Sequence, residues 1–226
     1  MSSTMKTARI AGFLYLVLAI TGVFSIMYVP STLFVYGDAT ATANNIKSSE
    51  LLFRTGIFIG LISNVIFVFL VLALYRLLKD ISHKQAILMV TLVVVSVSIG
   101  FINKLNQIVV LIILSGADFL SVFEKSQLDA LAYLFLRFHS QSWEAIQIFW
   151  GLWLFPFGLL IYRSRFIPRI MGVLLIIAGF AYLLSFVSFL LLPQYRGIVS
   201  QIMMPLMFGE LPIIFWLLIK GVKDQS

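Results

Sequence analysis

The sequence predicts an all-α integral membrane protein: a single domain over 1–226, built as a bundle of six transmembrane helices with both termini cytoplasmic. Composition is the first support for this fold class. The 226 residues are 61% hydrophobic and 11% charged, whereas soluble domains carry about 25% charged residues. The second support is the presence of six apolar segments that reach the roughly 20 residues a helix needs to cross a bilayer.

The first helix is predicted over 9–29 and ends before Pro30. A cleaved signal peptide has a shorter apolar core that ends in an A-x-A-like site. No such site follows this apolar run, so we expect the helix to be retained. The polar segment over 31–49 is predicted to be a loop, with a turn at Gly37-Asp38 and a short surface helix in its Ala/Thr/Asn stretch.

The other five helices are predicted over 50–75, 85–114, 130–162, 170–192 and 202–219. A loop is predicted over 115–129 and a chain break over 193–197. Pro205 and Pro212 interrupt the last helix, because proline lacks a backbone donor. If that segment were re-entrant, five spans would remain and the final lysines would fall opposite the other cations. Six spans are therefore preferred.

The distribution of lysine and arginine predicts the orientation. The side that holds both termini collects Lys6, Arg9, Arg76, Lys79, Lys84, Arg163, Arg165, Arg169, Lys220 and Lys223. The opposite loops hold only Lys47, Lys125 and Arg196. Because cytoplasmic loops are enriched in these residues, both termini are predicted to be cytoplasmic, in a multi-pass protein of the cell (plasma) membrane. The topology anchors are Arg76, Lys79, Arg163, Arg165 and Arg169.

Glu210 is the deepest carboxyl group of the predicted bundle. It lies ten residues before Lys220, which is about 15 Å along a helix and close to the bilayer midplane. An ionisable group there costs roughly 2.5–3.5 kcal/mol and so needs an explanation. Two interpretations stay open: a carboxylate that binds a cation, moves a proton or faces a polar cavity, and a protonated group hydrogen-bonded to a neighbouring helix such as that of Asn64.

The third predicted helix carries a stripe of small and polar residues. Spacings of four, three and four separate Ser96, Gly100, Asn103 and Gln107. These spacings put the stripe on one side of the helix, with Lys104 and Asn106 beside it. Small and amide residues join helices in lipid, and polar residues also line cavities. Both interpretations stay open.

Several charged side chains fall in the predicted outer half of the bundle, above Glu210. They are Arg54, Lys104, Arg137, His139 and Glu144. Together they suggest a polar vestibule open to the outside, which a small molecule or a lipid could enter. The alternative interpretation is interfacial anchoring with surface ion pairs, such as the i,i+4 pair of Glu50 and Arg54.

The residue types limit the possible chemistry. The lack of cysteine excludes disulfides and thiolate sites. A zinc site needs three or four ligands, but the two histidines, His83 and His139, are predicted on opposite sides of the membrane. We therefore predict no metal and no cofactor. No phosphate-binding loop, dinucleotide or G-x-S-x-G motif occurs, and the cations at helix ends form no nucleic-acid-binding face.

Five segments resemble a known family. They are R-x-A-G-x-L-Y-L over 9–16, E-x-x-x-R-x-G over 50–56, L-A-L-Y-R-L-L-K over 72–79, F-W-G-L-W-L-F-P-F-G-L-L-I-Y-R-S-R-F-I-P-R-I-M-G over 149–172 and G-E-L-P-I-I-F-W-L-L-I-K-G-V over 209–222. Across essentially the whole chain the sequence resembles the bacterial membrane family known as domain of unknown function 4386. The resemblance implies six helices in a bacterial plasma membrane. That family has no established activity, so the resemblance implies no catalytic residue.

Three hypotheses of function follow. The first is a non-enzymatic protein that binds or passes a small or amphipathic molecule through a cavity bounded by the third, fourth and sixth helices. The second is a structural or regulatory partner of another membrane protein, with the cytoplasmic arginine turn as the contact. The third is an enzyme that acts on a lipid at the outer leaflet through Glu144, His139 or Glu210.

Overall fold

The structure is a computed structural model that describes residues 3–222. Every regular element in this range is helical. Six helical segments are long and apolar enough to cross a membrane: Thr4–Leu33, Glu50–Leu78, His83–Leu114, Lys125–Arg163, Arg169–Leu191 and Pro193–Lys220. The predicted six-helix, all-α class is confirmed at this level. Lys223, which was counted among the cytoplasmic cations, lies outside the described residues.

The first span is longer than predicted and changes its winding before a proline. It comprises α1 (Ser3–Gly22), a π-helical segment (Val23–Tyr28) and α2 (Val29–Leu33). Pro30 lies in the first turn of α2 and has no N–H to donate, which explains why the regular hydrogen-bond ladder is altered there. The predicted loop start at residue 31 is therefore wrong, because the helix continues to Leu33.

The predicted surface helix is present as α3 (Ala39–Ser48). Asp38 caps it, since its Oδ1 accepts a hydrogen bond of 2.8 Å from the backbone N–H of Ala41, and such caps satisfy a donor left open at a helix start. Gly37 has φ of +87°, which a residue with a Cβ adopts only with strain. This short sequence signal was sufficient to predict both the turn and the helix.

Three long helices follow: α4 (Glu50–Leu78), α5 (His83–Leu114) and α6 (Lys125–Arg163). The predicted loop over 115–129 is too long, because α6 already begins at Lys125. Its first turn is stabilised locally. The Gln127 side chain accepts a hydrogen bond of 2.9 Å from the backbone N–H of Glu124, as in a capping box, and Lys125 pairs with Asp129 at 2.7 Å.

The last two spans are α7 (Arg169–Leu191) and a segment of changing helical type. After a 3-10 turn at Pro193–Tyr195 the chain forms α8 (Arg196–Met207), a second 3-10 turn (Phe208–Glu210), α9 (Leu211–Phe215) and a π-helical end (Trp216–Lys220). The last helix therefore begins well before residue 202. The expected break over 193–197 is only a tight helical turn.

The chain folds into two compact units, and α1, α4, α5 and α6 contribute residues to both. The central unit comprises Leu18–Asn64 and Ile99–Trp143; the terminal unit comprises the chain up to Val17, Val65–Ser98 and the chain from Glu144. The prediction of one domain over 1–226 stays a prediction.

Each unit has its own core. In the central unit Phe53 and Val110 are fully buried in an apolar cluster that also includes Leu136. In the terminal unit α6 and α7 pack backbone to backbone. A Cβ added to Gly158 would lie 2.7 Å from the carbonyl oxygen of Gly172. Close approach of this kind is how helices associate in lipid, where a hydrophobic driving force between them is lacking.

Candidate functional site

A buried lysine is the central feature of the candidate site. Lys104 of α5 is only 1% exposed, and its Nζ donates a hydrogen bond of 3.0 Å to Oε1 of Gln107, which is equally buried. Three ion pairs occur in the described part of the chain, and none of them includes Lys104. The ammonium group therefore has a neutral acceptor but no counter-charge from residues 3–222.

Two glycines of α4 and α5 make room for polar side chains of the opposite helix. A Cβ on Gly60 would lie 2.4 Å from Cε and 2.5 Å from Nζ of Lys104. A Cβ on Gly100 would lie 3.1 Å from both terminal atoms of the Asn64 amide. Gly60 faces Lys104, and Asn64, further along α4, faces Gly100, which is earlier in α5. The two helices are therefore antiparallel here. Each helix contributes one glycine and one polar residue, four positions apart.

Helix α4 also carries buried hydrogen-bonding groups that are unused. Nδ2 of Asn64 and Oγ of Ser63 are buried and have no hydrogen-bond partner among the described residues. Buried polar groups are normally paired, and an unpaired donor costs about 1–3 kcal/mol. The unused Asn64 amide and the Lys104 ammonium therefore provide two donors at the α4–α5 interface.

A second polar contact joins α5 to α6 within the central unit. Nδ2 of Asn103 donates to the backbone oxygen of His139 at 3.1 Å, and Nδ1 of His139 lies 3.0 Å from the backbone oxygen of Asn103. Nε2 of His139 accepts a hydrogen bond of 3.1 Å from the Trp143 indole. The neutral ring therefore carries its proton on Nδ1. Both ring nitrogens are occupied, which makes His139 a structural link between helices.

The Trp143 ring also lies near the lysine. Nζ of Lys104 is 6.0 Å from its centroid, at the outer limit of a cation–π contact. Asn106, which the sequence places beside the polar stripe, donates to the backbone oxygen of Asn103 at 3.0 Å. The stripe and the adjacent lysine thus contact two helices. Gly100 and Lys104 face α4, and Asn103 faces α6.

Glu210 lies in the terminal unit, in the 3-10 turn between α8 and α9. The Tyr15 hydroxyl of α1 donates to its Oε2, and the Tyr182 hydroxyl of α7 interacts with the same carboxyl group. The hydrogen-bonding helix suggested by the sequence was that of Asn64, whereas the structure provides Tyr15. The depth of Glu210 in the membrane can be counted along its own helix. The side chain that contacts Glu210 depends on how the helices pack, which the sequence does not give.

An aromatic group surrounds the first of these tyrosines. The ring centroids of Tyr15 and Trp153 are 6.2 Å apart, and Trp153 stacks on Phe157 at 5.2 Å. Tyr15 and Trp153 are almost completely buried, at 4% and 3% exposed. The Glu210 carboxyl thus meets phenolic donors in apolar surroundings, and its polar contacts differ in kind from those of Lys104.

The remaining predicted site residues are exposed or half-buried. Arg54 is exposed and pairs with Glu50 through Nε and Oε1 at 2.6 Å, which confirms the predicted i,i+4 pair. Glu144 pairs with Arg196 at 2.7 Å and accepts from the Gln147 amide at 2.9 Å. Arg137 is exposed. Within the central unit the structure brings together Lys104, Gln107, Asn103, His139 and Asn64, and leaves Arg54 out of that group.

The topology anchors occupy helix ends. Arg76 lies in the last turn of α4, Arg163 ends α6 and Arg169 begins α7, while Lys79 and Arg165 lie in the turns between helices. All five are exposed. Over residues 3–222, no three His, Asp or Glu side chains come together as metal ligands do.

Sequence reasoning missed Gly60, Ser63, Tyr15 and Tyr182. For Gly60 a signal existed, because Gly60 and Asn64 on one helix and Gly100 and Lys104 on the next share the same spacing of four. An antiparallel pair with this spacing can place each glycine opposite a polar residue. No comparable signal marks Tyr15 or Tyr182, since tyrosine is common near membrane interfaces.

Comparison with known proteins gives a family but no activity. An uncharacterized protein of Archaeoglobus fulgidus is 38% identical over 76 residues, which cover 34% of this chain and 44% of that protein. The chain thus spans less than half of that relative's length. No solved structure matches the chain. Residues 10–221 match the family described as "Domain of unknown function (DUF4386)". The chain therefore belongs to the DUF4386 family and is a multi-pass helical membrane protein.

Proposed function

We propose that the protein binds a small or amphipathic molecule with an acidic group inside its bundle, and that Lys104 pairs with that group. The observation that carries the proposal is the buried Lys104 ammonium without a counter-charge among residues 3–222. An ionisable residue within a membrane span is expensive, and such residues are characteristic of substrate and ion pathways. A ligand carboxylate or phosphate would supply the missing charge.

Two further features support an acidic ligand. The Asn64 amide lies against Gly100 at the α4–α5 interface, and its unused Nδ2 can donate a hydrogen bond to an anion. The lysine stem is flexible, and the contact that it makes with Gly60 involves its terminal atoms. Its ammonium group can therefore move to meet a ligand while the helices stay in place.

We further propose that the protein lies in the plasma membrane with both termini cytoplasmic. This orientation is supported by the excess of lysine and arginine at one set of helix ends. It would place the Arg163–Arg169 turn in the cytoplasm. Cysteine labelling on this cysteine-free chain tests the orientation, and cytoplasmic labelling of a cysteine at position 124 would overturn it.

The test of ligand binding uses decanoate as the acidic amphipathic probe and decanol as the neutral probe of equal chain length. Native mass spectrometry of the purified protein should show decanoate bound in preference to decanol. Lys104→Met should weaken decanoate binding about tenfold, the value of one charge-assisted hydrogen bond. Lys47→Met, at an exposed lysine of α3, is the matched control and should bind as the wild type does.

Two outcomes would overturn the proposal: equal binding of both probes, or unchanged decanoate binding by a folded Lys104→Met variant. A silent Lys104→Met variant would leave the two other hypotheses from the sequence, a partner of another membrane protein and a lipid-modifying enzyme. Co-purification of a second membrane protein would favour the first of these. Conversion of an added lipid by the purified chain would favour the second.

A further inference from the structure

The turn between α6 and α7 forms a cavity with the end of the last span. Its volume is about 370 Å³, and it is lined by Arg165, Phe166, Ile167, Pro168, Arg169 and Trp216. All six residues belong to the terminal unit. The lining combines two cations with aromatic and aliphatic side chains, and it includes no acidic residue. A cavity of this composition is suited to an anion attached to an apolar body.

Neither arginine of this cavity has a carboxylate partner in residues 3–222. The described ion pairs use Arg54, Lys125 and Arg196 instead. Arg169 is exposed, and its Cζ lies 5.5 Å from the centroid of the Tyr162 ring. The first turn of α7 has no acidic residue either. The positive charge of the cavity is therefore not neutralised locally.

The backbone at Arg165 is unusual. Its φ is +60°, and among the described residues it is the one non-glycine residue with positive φ. For a residue with a Cβ this conformation costs about 1–2 kcal/mol. Strained residues of this kind cluster at ligand-binding sites. The chain thus holds a cationic side chain at the cavity where glycine would be the unstrained residue.

Trp216 contributes its aromatic ring to the lining of the cavity. Its indole Nε1 is buried and has no hydrogen-bond partner within residues 3–222. Tryptophan and arginine are also the residue types that meet lipid headgroups at membrane interfaces.

We propose that this cavity binds a phosphate group that lacks a cationic partner of its own, with Arg165 and Arg169 as its ligands. Guanidinium groups bind phosphate oxygens in pairs of parallel hydrogen bonds, a geometry that lysine does not reproduce. Two sources share this chemistry: the headgroup of an anionic phospholipid in the adjacent leaflet, and free phosphate or a soluble phosphate ester. The inference is independent of the function proposed for Lys104.

The test titrates the purified full-length protein in detergent and measures binding by native mass spectrometry. The probes are dioctanoyl phosphatidylglycerol, dioctanoyl phosphatidylcholine and inorganic phosphate. We expect the anionic lipid to bind about tenfold more tightly than the zwitterionic lipid, a difference equal to one charge-assisted contact. The Arg165→Gln/Arg169→Gln variant should lose this preference. Trp216→Phe, which keeps an aromatic ring in the lining, should retain most of the lipid preference.

Arg163→Gln is the matched control. Arg163 is exposed and ends α6, just before this turn, but does not line the cavity, so this variant should keep the lipid preference. If inorganic phosphate displaces the anionic lipid, the cavity recognises the phosphate group itself and free phosphate is a competent source. If only the lipid binds, the lipid is the source. Equal binding of both lipids, or an equal loss in Arg163→Gln, would overturn the proposal.

Discussion

The α6–α7 pair of the terminal unit and the α4–α5 pair of the central unit both depend on glycine, but different atoms face the glycines. A Cβ on Gly158 of α6 would meet the backbone oxygen of Gly172 at 2.7 Å. A Cβ on Gly60 of α4 would meet the end of the Lys104 side chain at 2.4 Å. In the first pair glycine brings two backbones together, and in the second it admits a polar side chain.

This difference has a physical consequence. A helical backbone cannot move locally without breaking its hydrogen-bond ladder, so the α6–α7 contact is rigid. The end of a lysine side chain has several rotamers and can move aside where a backbone carbonyl cannot. The α4–α5 interface should therefore tolerate an added side-chain atom at its glycine better than the α6–α7 interface does. Such tolerance suits an interface at which a ligand binds.

The largest effect is expected for Gly158→Ala. The added Cβ would overlap the Gly172 carbonyl and the Ile176 side chain, and overpacking of a tight interface costs about 1–3 kcal/mol or more. Alanine gains up to about 1 kcal/mol over glycine in a helix. Because the Cβ would meet a backbone oxygen that cannot move aside, the overpacking cost should lie at the upper end of its range, which leaves a net destabilisation of about 2 kcal/mol. Equilibrium unfolding in mixed detergent and dodecyl sulfate measures this change.

Gly22→Ala is the matched control for Gly158→Ala. Gly22 is the last residue of α1, and a Cβ there would have no neighbour within 4 Å. Only the helix preference of alanine then acts, so this variant should be as stable as the wild type or slightly more stable. Similar destabilisation of both variants would show that the Gly158 contact has no special role.

The second prediction concerns Gly60→Ala and its dependence on Lys104. Gly60→Ala alone should destabilise the protein less than Gly158→Ala, because the Lys104 stem can move away. In a double-mutant cycle with Lys104→Ala, the lysine that the Cβ displaces is already absent. We therefore expect the two changes to be coupled by about 1.5 kcal/mol, with the loss from Gly60→Ala largely removed in the double variant.

The same unfolding measurement on four proteins gives this coupling free energy. Additive effects of the two changes would mean that Gly60 and Lys104 do not contact each other in the folded protein. A loss from Gly60→Ala equal to that from Gly158→Ala would remove the distinction between the rigid and the adaptable helix pair.

The sequence was sufficient to predict the helices and turns, but it was not sufficient to predict which side chains of different helices contact each other. Hydrophobic length predicted the six spans, and Asp38 with Gly37 predicted the turn before α3, since both signals are local. Helix periodicity placed Gly100, Asn103 and Gln107 on one face of α5. Periodicity could not reveal that the Lys104 side chain packs into the space left by Gly60, because that contact depends on the register between α4 and α5. For the same reason Glu210 was located by depth, while its partner Tyr15 was not.

The smallest effect is expected for the ion pair between Glu50 and Arg54. This pair lies on the exposed surface of α4, the helix that also carries Gly60. The side chains of Arg54 and Glu50 are 57% and 51% exposed, although Nε and Oε1 are only 2.6 Å apart. Solvent screens such a pair and its side chains lose rotamer freedom, so a double-mutant cycle with Glu50→Gln and Arg54→Gln should give a coupling of about 0.4 kcal/mol. Dissolved salt should reduce this value further, whereas the steric coupling of Gly60 and Lys104 should not change with salt. If Glu50 and Arg54 were coupled as strongly as Gly60 and Lys104, burial would not explain the coupling free energy at the α4–α5 interface.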